Sequence, residues 1–511
     1  MSLLLRILLL LTAFTAAPLA LAEPADIAAA SRGVVRVVLV ANDGQTIQYV
    51  GHGSGFAVSP TLVVTNAHVV AQARESDGMM IGVVPSEGAS DYLAKVVAYS
   101  PRNDLALLSL IDKGAIPALT LFPGAVEDGG EVYAVGYPGN VDLAQGLSLA
   151  EIVEPQSAVK TRGYLSSGRS SRQFETLLHT APVGSGNSGG PLLDSCGRVI
   201  GVNSFGTLSE GADSEFYFAV SLRELTGFLR EAGVTPRIAA MPCRSLAELD
   251  RADSQRLASE QARSDAQSRR QNAASEKARA DAQRRAELAV IAERENGMAL
   301  AALLLVAALA AGGGALLFEQ RGERRKALIV GGVGIALLVA AIVVWLLRPP
   351  LDSIEERTAA SLSADSAQPA ATGPEIAGAG SFVCVFDPER SRATVSEVAD
   401  VELTWSAGGC VNERTQYGLA NDGWSRVLVP NDEATVSVNC YDPATRTYQV
   451  ERFLLALDAM NAARTARSGV KAPACDADES AVREFGAGLQ TIKALLPPRP
   501  NERLVYRCLP R

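Results

Sequence analysis

The chain has 511 residues, with 47 Lys and Arg against 56 Asp and Glu and a net charge of −9 at pH 7. That length predicts two to four domains. The mild acidity leaves no basic footprint for DNA or RNA, so no nucleic-acid partner is expected, and a 48% apolar content excludes a wholly disordered chain. Three histidines (His52, His68, His179) without an HExxH motif give no basis for a metal centre, and no cofactor is expected.

Residues 1–22 combine Arg6, an apolar run from Ile7 to Leu11 and the A-x-A-like end Ala20-Leu21-Ala22. This predicts a secretory signal peptide cut after Ala22. Residues 33–232 then carry short β-branched runs at Val34 to Val40, Gly53 to Val58, Lys95 to Tyr99, Leu105 to Leu110, Glu131 to Gly136 and Val199 to Ser204. Gly, Pro, Asn and Asp punctuate them closely, which is the pattern of an all-β barrel or sandwich. Ser221 to Glu231 reads as one closing helix, with Leu222, Leu225, Phe228 and Leu229 on one face.

From 244 to 296 the composition changes to Ala, Arg, Glu, Gln and Ser without Pro, with 11 basic against 10 acidic residues. Interleaved charges of this kind suit a long solvated helix of about 80 Å. The apolar heptads are poor, so a single spacer helix and a coiled coil stand level. Two charge-free runs follow, Met298 to Phe318 and Ala327 to Leu347. Each gives a helix of about 32 Å, the thickness of a hydrocarbon core, which predicts transmembrane helices over 297–318 and 327–347. The connection 319–326 carries Arg321, Arg324, Arg325 and Lys326 and is expected in the cytoplasm. An exported start and a two-helix hairpin put both flanking parts on the periplasmic side of a bacterial inner membrane.

Residues 348–380 are rich in Ser, Ala, Pro and Gly and read as a flexible linker. Residues 381–511 read as a small α+β domain, with strands at Phe382 to Phe386, Val401 to Trp405 and Thr435 to Asn439, and helices at Phe453 to Ala466 and Ala481 to Leu496. Five of the seven cysteines lie there, which an exported compartment would pair as disulfides. Cys196 and Cys243 form a candidate pair outside that domain. The odd count leaves one thiol unpaired or pairing between chains.

Chemistry concentrates in Gly184-Ser185-Gly186-Asn187-Ser188-Gly189-Gly190-Pro191-Leu192. A serine attacks at neutral pH only with a base to take its proton and donors to hold the oxyanion. Flanking glycines let successive N–H groups converge. Upstream, Thr65-Asn66-Ala67-His68-Val69 places a histidine after one apolar strand, and Asn103-Asp104-Leu105-Ala106-Leu107 places a carboxylate before another.

These three segments, in the order His, Asp, Ser, resemble those of the trypsin-like (chymotrypsin-fold) serine peptidases, most closely the HtrA/Deg branch. Gly53-Ser54-Gly55-Phe56, Ala134-Val135-Gly136-Tyr137-Pro138-Gly139, Gly197-Arg198-Val199-Ile200-Gly201 and Phe218-Ala219-Val220 extend the likeness over 33–232. The resemblance implies a protease domain over 23–243, built as an all-β double six-stranded barrel with the site between the barrels. It implies a serine endopeptidase in which Ser188 attacks, His68 is the base, Asp104 orients His68, and the N–H groups of Gly186 and Ser188 form the oxyanion hole. Pro182, Ser204, Phe205, Gly206 and Phe216 would contact substrate. Pro182 stands where a trypsin-type pocket carries Asp, so small or aliphatic P1 residues are expected over Lys or Arg. Asn187 precedes the nucleophile where zymogen-type relatives carry Asp, so trimming of the N-terminus is not expected to switch the enzyme on.

The chain departs from the HtrA pattern in lacking a PDZ-like segment after the protease. Polypeptides and the membrane are the expected partners, with a homo-oligomer or a membrane-protein partner left open. The competing reading is a catalytically silent trypsin-fold module that binds or senses at the membrane.

Overall fold

The computed structural model describes residues 24–42, 47–76, 78–88, 91–170, 174–207, 215–350, 352–365 and 379–511. The expected signal segment, 1–22, lies outside them. Two compact units emerge, one made of Met1–Asp253 with Ile376–Arg511 and the other of Ser254–Glu375.

The first unit contains two closed barrels. Strands β1 (Val34–Asn42), β2 (Ile47–Ser59), β3 (Leu62–Thr65), β4 (Met79–Pro85), β5 (Tyr92–Ser100) and β6 (Leu105–Leu110) close in the order β1-β2-β3-β6-β5-β4. Strands β7 (Glu131–Gly136), β8 (Val159–Ser170), β9 (Glu175–His179), β10 (Pro191–Asp194), β11 (Val199–Gly206) and β12 (Tyr217–Ser221) close in the order β10-β11-β12-β9-β8-β7. All neighbouring strands are antiparallel, as the short connections require. Inward side chains fill each barrel, and a third cluster (Phe56, Val64, Leu105, Leu107, Tyr137, Leu193, Val199) runs between them. The closing helix, Leu222–Glu231, is capped by Ser221 and seals that cluster with Leu225, Phe228 and Leu229. The double six-stranded barrel expected from the sequence is therefore the fold.

The C-terminal part of the same unit is a nine-stranded antiparallel sheet among the described residues, with helices Leu457–Ser468 and Glu479–Lys493. The first of these begins four residues later than the helical spacing suggested, because Phe453 and Leu454 complete a strand, Thr447–Leu454. Cys384–Cys508 and Cys410–Cys475 are bonded here, Cys196–Cys243 joins the end of the second barrel to the chain that leaves it, and Cys440 is free. Cys384 and Cys508 face each other directly across two paired strands.

This part is packed on the barrels through fully buried groups. Asp26, in the first helix (Pro24–Ser31), is paired with the Arg392 guanidinium and accepts a 2.8 Å hydrogen bond from Asn501 Nδ2. Arg392 also donates to the Arg244 carbonyl at 2.7 Å and reaches Cys196 Sγ at 3.2 Å.

In the second unit the charged stretch and the first apolar run are one unbroken helix, Leu246–Gln320, which a tight turn joins to Arg324–Leu346. Both helices are long and apolar enough to cross a membrane. Small residues let them meet: a Cβ added at Gly334 would lie 3.3 Å from both the Ala308 carbonyl oxygen and the Ala311 methyl. The stretch 348–380 does not read through as a flexible linker, since Ser353–Asp365 is helical and Arg357 pairs with Glu293 at 2.9 Å. Residues 366–378 lie outside the described ones.

Candidate active site

The three motif residues come from different elements; Asp104 contacts His68 directly and is linked to Ser188 through Ser204. His68 is the second residue of the helix Ala67–Glu75, which follows β3 directly. Asn66 is the N-cap, yet its side chain makes no cap bond, and its Nδ2 donates to the Asp104 carbonyl at 2.8 Å. The Asp104 carboxylate takes over, accepting the backbone N–H of His68 at 3.1 Å. An anion at a helix N-terminus is favourable there. Asp104 has φ +55, a left-handed turn that aspartate tolerates, and this turn aims the carboxylate at the helix.

The same carboxylate contacts His68 Nδ1 at 2.9 Å through Oδ2 and accepts from Ser204 Oγ at 2.5 Å. Burial alone would raise the Asp104 pKa. The hydrogen bond and charge of the His68 ring, the Ser204 hydroxyl and the His68 N–H outweigh burial and hold it below the ordinary range. An ionised carboxylate only accepts, so Nδ1 carries a proton. The ring is half exposed, with 53% of its side-chain surface open, and is accessible as a base.

Ser204 owes its place to a β-bulge. The β11–β12 register runs Asn203↔Ala219 and then Phe205↔Phe218, so Ser204 has no partner in the ladder. A bulge re-aims one residue, and here it turns both polar groups of Ser204 into the site. The carbonyl accepts from Ser188 Oγ at 2.9 Å. Ser188 makes no hydrogen bond to His68 among the described residues.

The loop before Ser188 is held by Ser54 of β2. Its N–H donates to the Ser188 carbonyl at 2.8 Å and its hydroxyl to the Gly186 carbonyl at 2.7 Å. The Ser185 carbonyl accepts from the Gly139 N–H at 2.8 Å. Gly186 sits at φ +100 and Gly189 at φ +89, where a Cβ would lie 2.4 Å from the Tyr137 oxygen and 2.2 Å from the Ser54 oxygen respectively. Neither position admits another residue without displacement. The N–H groups of Gly186 and Ser188 have no hydrogen-bond partner among the described residues.

The expected substrate-contacting residues are placed unevenly. Pairing of β11 with β10 stops at Val202, and Asn203 exchanges its last bonds with Gly189 and Gly190, so Ser204, Phe205 and Gly206 present an open strand edge on that side. Phe205 is 43% exposed and stacks on Phe218 with centroids 4.8 Å apart. Pro182 is exposed and its carbonyl accepts from Thr161 Oγ1 at 2.6 Å. Phe216 is half-buried, and its carbonyl is bonded to the Thr207 N–H. The ring that lies against Gly206 is that of Tyr217: a Cβ at 206 would be 3.1 Å from Tyr217 Cδ1.

Sequence reasoning passed over three residues here. In the sequence Ser54 lies within a matching string, Asn203 within a strand run, and His52 is one of three histidines without a metal motif. Asn203 braces the loop from behind, its Nδ2 donating to the Pro191 carbonyl at 2.9 Å. The one available signal was polar residues set into otherwise apolar or glycine-rich strands.

Residues 53–202 match the family described as the trypsin-like peptidase domain. Serine protease Rv3671c of Mycobacterium tuberculosis is 31% identical over 210 residues, covering 40% of this chain and 48% of that protein. The magnetosome formation protease MamE of Paramagnetospirillum magneticum is 31% identical over 193 residues, covering 36% and 24%. Human serine protease HTRA4 is 34% identical over 190 residues, covering 37% and 36%. A crystal structure of the active form of the Rv3671c protease aligns with 43% of this chain and 89% of that one, at 26% identity and a TM-score of 0.33. The chain spans about half the length of these curated relatives, or less. Residues 53–202 are thus a trypsin-like peptidase domain, homologous to serine proteases of the HtrA type.

Proposed function

We propose that the protein is a membrane-anchored serine endopeptidase that cuts exported or envelope polypeptides through an acyl-enzyme. The observation that carries this is the Asp104 carboxylate, bonded to His68 Nδ1 at 2.9 Å and joined to Ser188 through Ser204. In this reading Ser188 turns from Ser204 to His68 Nε2 and attacks the scissile carbonyl. Nε2 takes the hydroxyl proton and later returns it to the leaving amine. The two unspent N–H groups of Gly186 and Ser188 receive the developing oxyanion. The substrate backbone adds as a strand along Ser204, Phe205 and Gly206, and its P1 N–H displaces Ser188 from the Ser204 carbonyl. Pro182 puts no anion into the specificity pocket, which favours small or aliphatic P1 side chains over Lys and Arg.

Anchoring rests on the two apolar helices. Asp26 and Arg392 belong to one folded unit and are joined by an ion pair. Chain segments in contact share one side of a membrane, so an even number of crossings separates them, as a hairpin supplies. With a cleaved signal peptide that side is the periplasm, and the barrels form a protease domain over 23–243. The protein would be anchored over 297–347, with the C-terminal domain over 381–511. Neither a homo-oligomer nor a second membrane protein is needed to assemble this site.

A second reading, the silent binding module, has one observation in its favour: Ser188 bonds to Ser204 and not to His68. A fluorophosphonate probe on the full chain in detergent separates the two. Labelling that Ser188→Ala and His68→Ala abolish supports the peptidase. Folded wild-type protein that never labels supports the module.

A further inference from the structure

His52 is a buried titratable group to which the catalytic reading gives no task. It lies on β2, only 7% of its side chain is exposed, and it spans the gap between the barrels. Nε2 is 2.8 Å from the Tyr137 carbonyl oxygen, and Nδ1 is hydrogen-bonded to the Tyr49 hydroxyl. A carbonyl only accepts, so Nε2 carries the proton and Nδ1 accepts from Tyr49. Two charged groups face the ring as well: Asp142 Oδ2 at 3.5 Å, and beyond it Arg36, which pairs with Asp142 at 2.8 Å and lies over the Tyr137 ring at 4.8 Å.

What His52 touches next is the loop of the nucleophile. A Cβ at Gly186 would stand 2.7 Å from His52 Nε2, and one at Gly139 3.4 Å from Cε1. His52 fixes the Tyr137 carbonyl, and two residues on, the Gly139 N–H holds the Ser185 carbonyl at 2.8 Å. A trans peptide sets its C=O and N–H on opposite sides. Fixing the Ser185 oxygen towards Gly139 therefore turns the Gly186 N–H the other way, where it is left free.

We propose that His52 is a positioning residue for this peptidase: by holding Tyr137 to Gly139 in place it keeps the Ser185–Gly186 peptide in the orientation that offers the Gly186 N–H to the oxyanion. The proposal rests on the peptidase reading above and adds to it the group that sets the oxyanion hole. His52 touches neither substrate nor the reacting atoms. Its loss lets the peptide turn over, which removes one oxyanion donor while leaving the strand edge at Ser204–Gly206 intact. The effect therefore falls on the transition state and not on ground-state binding.

The test uses the full chain in detergent, a chromogenic peptide, and a peptide boronate whose tetrahedral adduct places an oxygen in the hole. Active sites are counted by fluorophosphonate. His52→Leu should lower kcat per titrated site by about 10- to 100-fold with KM nearly unchanged, and should weaken boronate binding by a similar factor. His52→Gln keeps an N–H donor and should recover most of both. Gly139→Pro provides a second variant: it follows Pro138 at the first turn of a helix, where proline is accepted, and it deletes the N–H that holds Ser185. It should reproduce the same kcat and boronate losses. The proposal is overturned if His52→Leu keeps wild-type kcat per titrated site, including the case in which only the melting temperature or the titratable fraction drops. It is overturned equally if KM and kcat shift without any change in boronate affinity. Wild-type protein that never labels brings down the peptidase reading first and this inference with it.

Discussion

The hydroxyl of Ser188 gives its hydrogen bond to the carbonyl oxygen of Ser204, 2.9 Å away. That carbonyl lies on the strand edge where an extended substrate would place its own N–H. Occupying the edge and releasing the nucleophile are then one event. A peptide aldehyde or boronate that fills P1 should bind more tightly than one whose P1 nitrogen is methylated, by about tenfold or more for one lost charge-free hydrogen bond and the unpaired carbonyl it leaves. Equal inhibition constants for the two would show that the Ser204 carbonyl takes no part in substrate binding.

Ser204 also donates to Asp104 at 2.5 Å, one of the bonds that keep this carboxylate below its ordinary pKa. Ser204→Ala removes that bond and moves the Asp104 pKa upwards. The carboxylate then begins to protonate at higher pH, so the midpoint of Asp104 followed by its carboxyl NMR shift should lie above that of the wild type. We expect a loss of about tenfold in kcat/KM near neutrality, as a single oriented hydrogen bond to a charged group is worth about 1.5–3 kcal/mol at most. An unchanged Asp104 midpoint in Ser204→Ala would remove Ser204 from the charge-holding set.

His179 at the end of β9 is fully buried, and burial pushes its pKa down to about 4. It is therefore neutral in the folded protein, while the unfolded chain binds a proton near its ordinary value of about 6.5. Above that value the group leaves stability unaffected. Between about 6.5 and 4 the unfolded state is progressively favoured, for a total on the order of 3 kcal/mol. Melting temperature should fall over this window in the wild type. It should fall less in His179→Gln, which cannot protonate. Parallel curves for the two proteins would place the acid sensitivity elsewhere.

Breaking the buried pair of Asp26 and Arg392 strands a charge in the interior. Asp26→Ala or Arg392→Ala should cost about 3–5 kcal/mol, whereas Asp26→Leu combined with Arg392→Met should recover much of the loss. Denaturant midpoints measure this. Single variants as stable as the wild type would mean that the C-terminal domain does not rest on this contact in solution.

The glycine at 334 allows the two apolar helices to approach within contact of Ala308 and Ala311. Gly334→Leu should force them apart and lower the thermal stability of the detergent-solubilised protein, while Gly332→Leu, at a position with open space, should not. Equal effects of the two would detach the small-residue contact from hairpin packing.

Much of this molecule is legible from its residues, for reasons that differ by region. The six strand runs read in 33–232 all lie in observed strands, because β-branched residues between turn formers leave the chain few options. His68, Asp104 and Ser188 stand out because their local strings are specific. What escapes is whatever depends on register or on distant chain. The bulge that aims Ser204 is one extra residue in a ladder, invisible until β11 and β12 are paired. Ser54 and His52 act through groups more than 80 residues away, at Tyr137 and Gly186. Charge content marks 244–296 as separate from the apolar run after it, yet both have strong helix formers, and the single Gly297 between them does not stop the helix, so the backbone runs through. The Ser and Ala that suggested a loose linker near 353–365 are compatible with a helix once Arg357 finds Glu293.

The cover that Arg392 and Asn501 place over Asp26 and Cys196 is made long after the residues it covers. From Cys243 to Asn501 the ribosome must add 501 − 243 = 258 residues. At roughly 5–20 residues per second that takes on the order of 10 to 50 seconds. During that interval Cys196 is open to an oxidising or isomerising catalyst, and afterwards it is buried, while Cys243 stays exposed. Access to the Cys196 side of the disulfide thus narrows during biogenesis, as the later-made segment closes over it.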